Sequence, residues 1–165
     1  MELEALSPSI WDQLAARIPR AGTMAPTEQL FCGKAVKPLI CVCASRDKTF
    51  HLMLEIPPRT AAKLETSRSA GLSVSRLSDH FVRNHGRKNL IDVKCSARPH
   101  LTAFTAIARE IGGLVLRDRI DPILAVNQTI RKWKSFWGKP SLGLLSEDQQ
   151  LGLLGELAAL RQLID

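Results

Sequence analysis

The chain has 165 residues, of which 45% are hydrophobic, and its formal net charge at pH 7 is +7. This length predicts one domain with a substantial apolar core, spanning residues 1–165, and leaves little room for a second. The basic charge favours a polyanionic partner, although such a charge also serves solubility alone. No apolar run reaches the roughly 18 residues of a membrane span, and the N-terminus lacks the features of a signal peptide. We therefore expect a cytoplasmic protein without membrane contact.

The predicted elements begin with an amphipathic helix over residues 7–20. Its apolar side chains recur at helical spacing and are Ile10, Trp11, Leu14 and Ile18. This helix is expected to cover one face of a sheet. A connector rich in Gly, Thr, Pro and Ala follows at residues 21–28.

From Gln29 onward the pattern changes to short runs rich in Val, Ile, Leu, Phe and Cys, which are typical of strands. The predicted strands are 29–33, 38–44, 49–56, 71–77 and 89–96. Short polar connections, with a tight turn at 45–48, favour an antiparallel meander of about five strands. Residues 57–69 are interpreted either as one helical turn or as a loop at the sheet edge.

Helical periodicity returns after the sheet. Pro99 opens a helix that Gly112 and Gly113 should end, and Asp121 with Pro122 begins a second helix that reaches Gly138. A capping box at 146–149 begins a third helix, whose apolar side is formed by Leu151, Leu154, Leu157 and Leu160. We therefore predict an α+β fold: an N-terminal helix, an antiparallel sheet of about five strands, and three helices packed on it.

The C-terminal helical region carries a family resemblance. Trp133, the segment LSEDQQ at 145–150 and the segment GLLGELAAL at 152–160 resemble the signature of an uncharacterised bacterial family assigned to the PD-(D/E)XK nuclease superfamily. Members of that family are often found beside restriction or phage-defence genes. The resemblance implies a longer protein whose nuclease-like part follows this motif, so that residues 1–165 form an N-terminal domain that stops before any catalytic centre.

The polar residues give little support to an active site within the chain itself. Asp92, Val93 and Lys94 have the D-x-K form of half a nuclease motif, in which two acids hold Mg²⁺ and the lysine assists the attacking water. The second acid would have to be Asp79 or Glu55, and neither follows a proline. A charged pair on an exposed strand face explains Asp92 and Lys94 without a metal. We therefore predict no catalytic residues here, and a nuclease only in the longer protein.

Neither histidines nor cysteines form a metal-binding pattern. His80, His85 and His100 lack the spacing that zinc motifs use. The cysteines contain no C-x₂-C pair and lie in apolar runs; they are Cys32, Cys41, Cys43 and Cys95. They are predicted to be buried free thiols in a reducing compartment. The sequence thus predicts no metal and no cofactor.

Basic residues make the stronger case, since between Arg76 and Arg98 they are opposed only by Asp79 and Asp92. The segment 79–88 is predicted to be a loop along which phosphates can lie, with one aromatic side chain that can wedge or stack. If the turns of the sheet converge on one edge, they form a cationic rim. The candidate DNA-binding residues are Arg76, Phe81, Arg83, His85, Arg87, Lys88, Lys94, Arg98, Arg46 and Lys48.

The chain has no Tyr, which leaves few rings for stacking on single strands and favours duplex DNA over RNA. We predict a non-catalytic DNA-recognition domain of a restriction or phage-defence protein, with other defence-system subunits as further partners. A first alternative is a scaffold or dimerisation domain that uses the helix face at Gly152 and Gly155. A second is a reader of methylated DNA with a pocket formed by Phe81, Phe50 and Trp11.

Overall fold

The structure is a computed structural model that describes residues 1–57, 62–69 and 71–137, without the side chains at 35, 36, 69 and 135–137. The elements are α1 (Ser9–Ala16), β1 (Glu28–Cys32), β2 (Ala35–Ala44), β3 (Phe50–Glu55), β4 (Ser67–Ser69), β5 (Leu72–Val82), β6 (Gly86–Cys95), α2 (Leu101–Leu116) and α3 (Pro122–Trp137). Short 3-10 turns at Leu3–Ala5 and Arg98–His100 precede α1 and α2. The predicted helix after Ser146, and with it the scaffold face at Gly152 and Gly155, lies outside the described residues.

The strands form one six-stranded sheet in the order β1-β2-β3-β6-β5-β4, and every neighbouring pair is antiparallel. This confirms the predicted α+β class. The added strand is β4, which falls in the segment that the sequence left open between a helical turn and a loop. Its residues Ser-Arg-Ser have no apolar alternation, so pairing with Leu72–Val74 of β5 decides its conformation.

The predicted loop over residues 79–88 is wrong, because β5 continues to Val82 and β6 begins at Gly86. Only 83–85 form the turn of this long hairpin, with Asn84 at φ +67. A β-bulge interrupts the ladder between Leu77 and His80, where Asp79 has φ +53. Bulges bend the strand that carries them. The end of the hairpin around its turn consequently packs against the sheet, and Val82 is buried beside Leu39 and Cys41. The strands of the tip are polar, which hid them from the apolar pattern.

One face of the sheet packs against the described helices. Trp11 of α1 is fully buried there, 5.8 Å from the ring of Phe50 in a T-shaped pair and 5.0 Å from the ring of Phe104. Its indole nitrogen donates a hydrogen bond of 2.8 Å to the hydroxyl of Thr105 on α2. The prediction that the first helix covers the sheet is confirmed. We call this side the helix-covered face.

Helix α2 passes through the two glycines that were expected to end it, and it continues to Leu116. A Cβ atom at Gly112 would lie 2.6 Å from a terminal methyl carbon of Leu3. The glycine is therefore needed for the close approach of the N-terminal 3-10 turn to α2. This contact outweighs the helix propensity lost at a glycine, which is about 1 kcal/mol.

Helix α3 begins as predicted. The carboxylate of Asp121 accepts hydrogen bonds from the amides of Ile123 at 2.8 Å and Leu124 at 3.4 Å, as an N-cap should. Ile123, Val126 and Ile130 are buried against the rest of the core. None of the helices in the described ranges is long and apolar enough to cross a membrane.

The opposite face of the sheet carries a smaller apolar cluster to which no described helix contributes. Its members are Leu39, Cys41, Cys43, Met53, Val82 and Leu90. We call this side the helix-free face. Burial raises the pKa of Cys41 and of Cys43 to about 12, and Cys95 is buried in the other cluster, as predicted. Cys32 differs from the prediction because it is only partly buried.

Candidate nucleic-acid interface

The outer side of the β5–β6 hairpin displays an aromatic ring between basic side chains. Phe81 and Arg87 are direct partners in the ladder, and Arg83 opens the turn. Successive side chains of a strand point to opposite faces, so the burial of Val82 turns its neighbours Phe81 and Arg83 outward. Phe81 is 65% exposed, whereas Val82 is 2% exposed. We call residues 80–87 the hairpin tip.

The two arginines of the hairpin tip differ in their pairing. The guanidinium of Arg87 donates hydrogen bonds to the carboxylate of Asp79 at 2.7 Å and to its backbone carbonyl at 3.0 Å. Arg83 is exposed and, within the described part of the chain, has no acidic partner. The pair of Arg87 with Asp79 is itself exposed, and an exposed ion pair contributes about 1 kcal/mol or less to the stability of a protein. A phosphate can therefore replace Asp79 at little cost.

A cavity of about 350 Å³ brings three predicted residues together at the base of the hairpin. Its basic lining residues are Arg76, Arg87 and Lys88. Lys88 donates to the carboxylate of Glu55 at 2.7 Å. Burial tends to raise the pKa of Glu55, but the Lys88 and Leu39 hydrogen bonds and the nearby positive charges outweigh it and lower that pKa. Lys88 is thus engaged inside the protein, while Arg76 is exposed.

His85 lies in the exposed turn and lines a neighbouring cavity with Lys37 and Lys88. Lys37 lies on β2 and was not among the predicted DNA-binding residues. The hairpin tip crosses toward β2, and this brings its turn close to Lys37. The sequence could not show this contact, because it depends on the bend at the β-bulge.

The other predicted cations, Arg46, Lys48, Lys94 and Arg98, do not line these two cavities. The turn with Arg46 and Lys48 adjoins the ladder in which Phe50 pairs with Cys95, at the far end of β6 from Lys88. Lys94 is six residues from Lys88, or about 20 Å along the strand. Lys94 therefore lies apart from Lys88 along β6. Arg46, however, approaches the hairpin tip, because its guanidinium binds the carbonyl oxygen of Pro19, and Pro19 lines a cavity of about 240 Å³ together with Phe81 and Arg83.

Arg46 and Arg98 have structural roles within the protein. The guanidinium of Arg46 donates to the carbonyl oxygens of Pro19 at 2.8 Å and Arg20 at 2.5 Å, which holds the connector against the β2–β3 turn. Arg98 donates to the carboxylate of Asp12 on α1 at 2.6 Å. Both contacts are on the surface, and they explain these arginines without a ligand.

Asp92 does not lie on an exposed strand face as predicted, since it is 2% exposed in the middle of the sheet. Its carboxylate oxygens lie 3.0 and 3.3 Å from Nδ1 of His51, which is also buried. The Nζ atom of Lys94 is 3.9 Å from the carboxylate. The sequence offered no signal for the His51 contact, because His51 and Asp92 lie on different strands and are 41 residues apart. The D-x-K pattern pointed only to Asp92 and Lys94.

The hydrogen bonds of His51 continue into the β2–β3 turn. Its Nε2 atom lies 3.0 Å from the hydroxyl oxygens of both Ser45 and Thr49. The order Asp-His-Ser is that of a hydrolytic triad. However, the Ser45 hydroxyl donates to the carboxylate of Asp47 at 2.6 Å, and hydrogen bonds from Ser45 and Thr49 lower the pKa of Asp47. The network therefore ties the β2–β3 turn to the sheet.

Each acidic residue that could belong to a nuclease motif contacts a basic side chain. Asp92 contacts His51, Glu55 contacts Lys88, and Asp79 contacts Arg87. Within the described ranges, no three side chains of His, Cys, Asp or Glu are grouped so that they could hold a metal ion. The aromatic pocket considered for methylated DNA is not formed either, because Trp11 and Phe50 are buried on the helix-covered face while Phe81 lies outside.

Comparisons with known proteins identify the family. A family model described as "Putative PD-(D/E)XK family member, (DUF4420)" matches residues 10–165. Comparisons with the curated proteins and with the solved structures give no match. The family match agrees with the resemblance of the C-terminal motif, and the link to restriction and phage defence stays a proposal. Since the match covers most of the sequence, the chain belongs to this PD-(D/E)XK-related family.

Proposed function

We propose that this chain is a DNA-recognition domain that contacts duplex DNA with its hairpin tip. The observation that carries the proposal is the exposure of Phe81, at 65%, directly opposite Arg87 and close to Arg83. An exposed ring among cations offers a partner an apolar contact and charged contacts at the same place. Duplex DNA offers both contacts, because its phosphates bind the guanidinium groups and the thymine methyl groups of its major groove accept an apolar side chain.

The shape of the hairpin also supports duplex DNA. A two-stranded β-ribbon fits the major groove, which is about 12 Å wide. Val82 fixes one side of the tip on the sheet, so Phe81 and Arg83 are held outward without much loss of conformational freedom on binding. Arg76 lies farther along the same hairpin and can reach a phosphate beside the groove. The net charge of +7 adds a long-range attraction.

We further propose that the chain itself does not cut DNA. The engagement of Asp92 with His51 and of Glu55 with Lys88 supports this, because Mg²⁺ would have to compete with these partners for the carboxylate oxygens. Incubation of supercoiled plasmid with the chain and Mg²⁺ or Mn²⁺ should leave the plasmid intact. Nicking that needs the divalent ion and disappears in Asp92→Asn would contradict the proposal. The role in restriction or phage defence, and other subunits as partners, follow only from the family resemblance.

The DNA-binding proposal is tested by fluorescence anisotropy with a labelled random duplex at several salt concentrations. Phe81→Ala with Arg83→Ala should weaken binding at least tenfold and lower the salt slope by about one, because one phosphate contact is lost. The matched control is Arg131→Ala with Lys132→Ala on α3, whose side chains pair with Glu65 and Glu110. If the control variant weakens DNA binding and the hairpin variant does not, the DNA contacts the helices and not the hairpin tip.

A further inference from the structure

A second cationic site lies across three strands of the helix-free face. Arg68 of β4 is the ladder partner of Ser73 on β5, and Ser73 is the partner of Lys94 on β6. Directly opposed side chains stand on the same face, with Cβ atoms about 4.5–5.5 Å apart. Arg68, Ser73 and Lys94 therefore form one continuous row at the β4 side of the sheet.

This row borders a cleft of about 460 Å³. Besides Arg68 and Lys94, its lining consists of four hydroxyl residues and one valine: Thr66, Ser67, Ser73, Ser75 and Val74. None of these lining residues is acidic. A guanidinium fork, an ammonium group and several hydroxyls form the donor set that protein sites present to phosphate oxygens.

The charge of the cleft is only partly compensated by the protein. Arg68 is exposed and has no acidic partner among the residues that the structure describes. The nearest carboxylate to Lys94 is that of Asp92, at 3.9 Å, and it already contacts His51 at 3.0 Å. Lys94 is 40% exposed, so its ammonium group can turn toward the cleft. At least one full positive charge is left for a ligand.

We propose that this cleft, formed by Arg68, Lys94 and the hydroxyls around Ser73, binds a phosphate group of a nucleic-acid strand. The guanidinium of Arg68 holds two phosphate oxygens, Lys94 supplies a point charge, and the hydroxyls donate to the remaining oxygens. A carboxylate has only two oxygens and would leave donors of the cleft unused. The phosphate chemistry stands on the cleft alone, whereas its assignment to nucleic acid rests on the proposed function.

The cleft and the hairpin tip are separate contacts. Phe81 and Arg83 line a cavity with Met53, whereas the cleft is lined by Arg68, Ser73 and Lys94, and the two share no lining residue. Both lie on the helix-free face, so one duplex can contact both. The cleft would then fix the direction in which the strand leaves the hairpin tip.

The test uses the ¹⁵N-labelled chain and two probes, inorganic phosphate and a short duplex without terminal phosphates. Phosphate should shift the amide signals of Ser73 and Ser75 and the side-chain signal of Arg68. The duplex should shift the same signals together with those of the hairpin tip. Arg68→Gln with Lys94→Gln should abolish the cleft shifts and lower the salt slope of duplex binding by about one, because one phosphate contact is lost. Lys94→Arg in a chain that retains Arg68 keeps both positive charges and should bind phosphate as the unchanged chain does.

The outcomes separate this proposal from the function proposed above. Unchanged cleft signals with both probes would overturn it, even if the Phe81 and Arg83 variant loses duplex binding. Cleft shifts with phosphate and none with duplex would overturn the nucleic-acid assignment and support a site for free phosphate esters. Duplex binding that depends on Arg68 and Lys94 but not on the hairpin tip would support the cleft and refute the hairpin. Arg131→Gln with Lys132→Gln serves as the control for general loss of charge.

Discussion

The two faces of one sheet differ in what their buried residues do. The helix-covered face buries rings and aliphatic chains, and the ring of Trp11 contacts those of Phe50 and Phe104. The helix-free face buries the His51–Asp92 pair beside cysteines and Met53, and next to it lies the cleft lined by Arg68 and Lys94. Apolar burial stabilises the fold without regard to direction, whereas polar groups must be placed at particular distances. We infer that the first face supplies stability and the second positions charged groups.

The comparison predicts the largest loss on the helix-covered face. Trp11→Ala should lower the free energy of unfolding by about 3–5 kcal/mol, because it leaves a cavity and removes the donor to Thr105. Phe81→Ala, the exposed aromatic control, should change it by less than about 0.5 kcal/mol. Urea unfolding followed by circular dichroism measures both. Equal losses would mean that Phe81 is covered in solution, and would abolish the distinction between the two aromatic positions.

The next largest loss of stability is expected at the buried pair of His51 and Asp92. Asp92→Ala leaves Nδ1 of the buried His51 without its acceptor, at a cost of about 3 kcal/mol. Lys94→Ala removes only a half-exposed cation 3.9 Å from the same carboxylate and should cost 1 kcal/mol or less. Urea midpoints at pH 7 decide between them. A larger loss for Lys94 than for Asp92 would contradict the assignment of Asp92 as the structural partner of His51.

The thiols of the helix-free face predict a loss of stability in alkali. Their pKa of about 12 in the folded chain exceeds the ordinary value of 9.0, because burial disfavours the thiolate of Cys41 and Cys43. The stabilisation is complete below pH 9 and is lost as the pH rises toward 12, since the unfolded chain releases these protons first. Between pH 9 and 10 the two thiols should together cost about 2 kcal/mol.

Urea unfolding at those two pH values measures this loss. The variant with Cys41→Ala and Cys43→Ala should show a flatter dependence on pH, although its stability at pH 7 will be lower. An equally steep dependence in the variant would assign the effect to other groups. The native thiols should also resist alkylation at pH 8, where the unfolded chain reacts.

The smallest effect is expected at the hairpin tip. Arg83→Ala should leave the melting temperature unchanged, and Arg87→Ala should cost less than about 1 kcal/mol because its pair with Asp79 is exposed. Lys88→Ala is expected to cost slightly more, since Glu55 is partly buried and loses a donor. Thermal melts rank the three variants. A large loss for Arg83 would show that the turn has a structural role in place of a binding role.

Local patterns in the sequence were sufficient for much of the fold. Helical spacing identified the buried side of α1 and α3, and the Asp121 cap was recognisable because it acts on amides within the next turn. The positions of β1, β2 and β3 followed from apolar runs. The family also followed from the sequence, through the motif after Trp133. These features depend on residues that are close together in the chain.

Only the tertiary structure decided which polar residues meet. The β-bulge at Asp79 bends the hairpin, and this exposes Phe81 and buries Val82. Sheet pairing brings His51 to Asp92 over a separation of 41 residues and lines Arg68 up with Lys94 through Ser73. The bent hairpin also brings Phe81 and Arg83 to a cavity lined by Pro19, whose carbonyl oxygen accepts a hydrogen bond from Arg46. Charge and composition indicate that a chain can bind a polyanion, but strand register determines which cations share a face, because it relates residues that are distant in sequence.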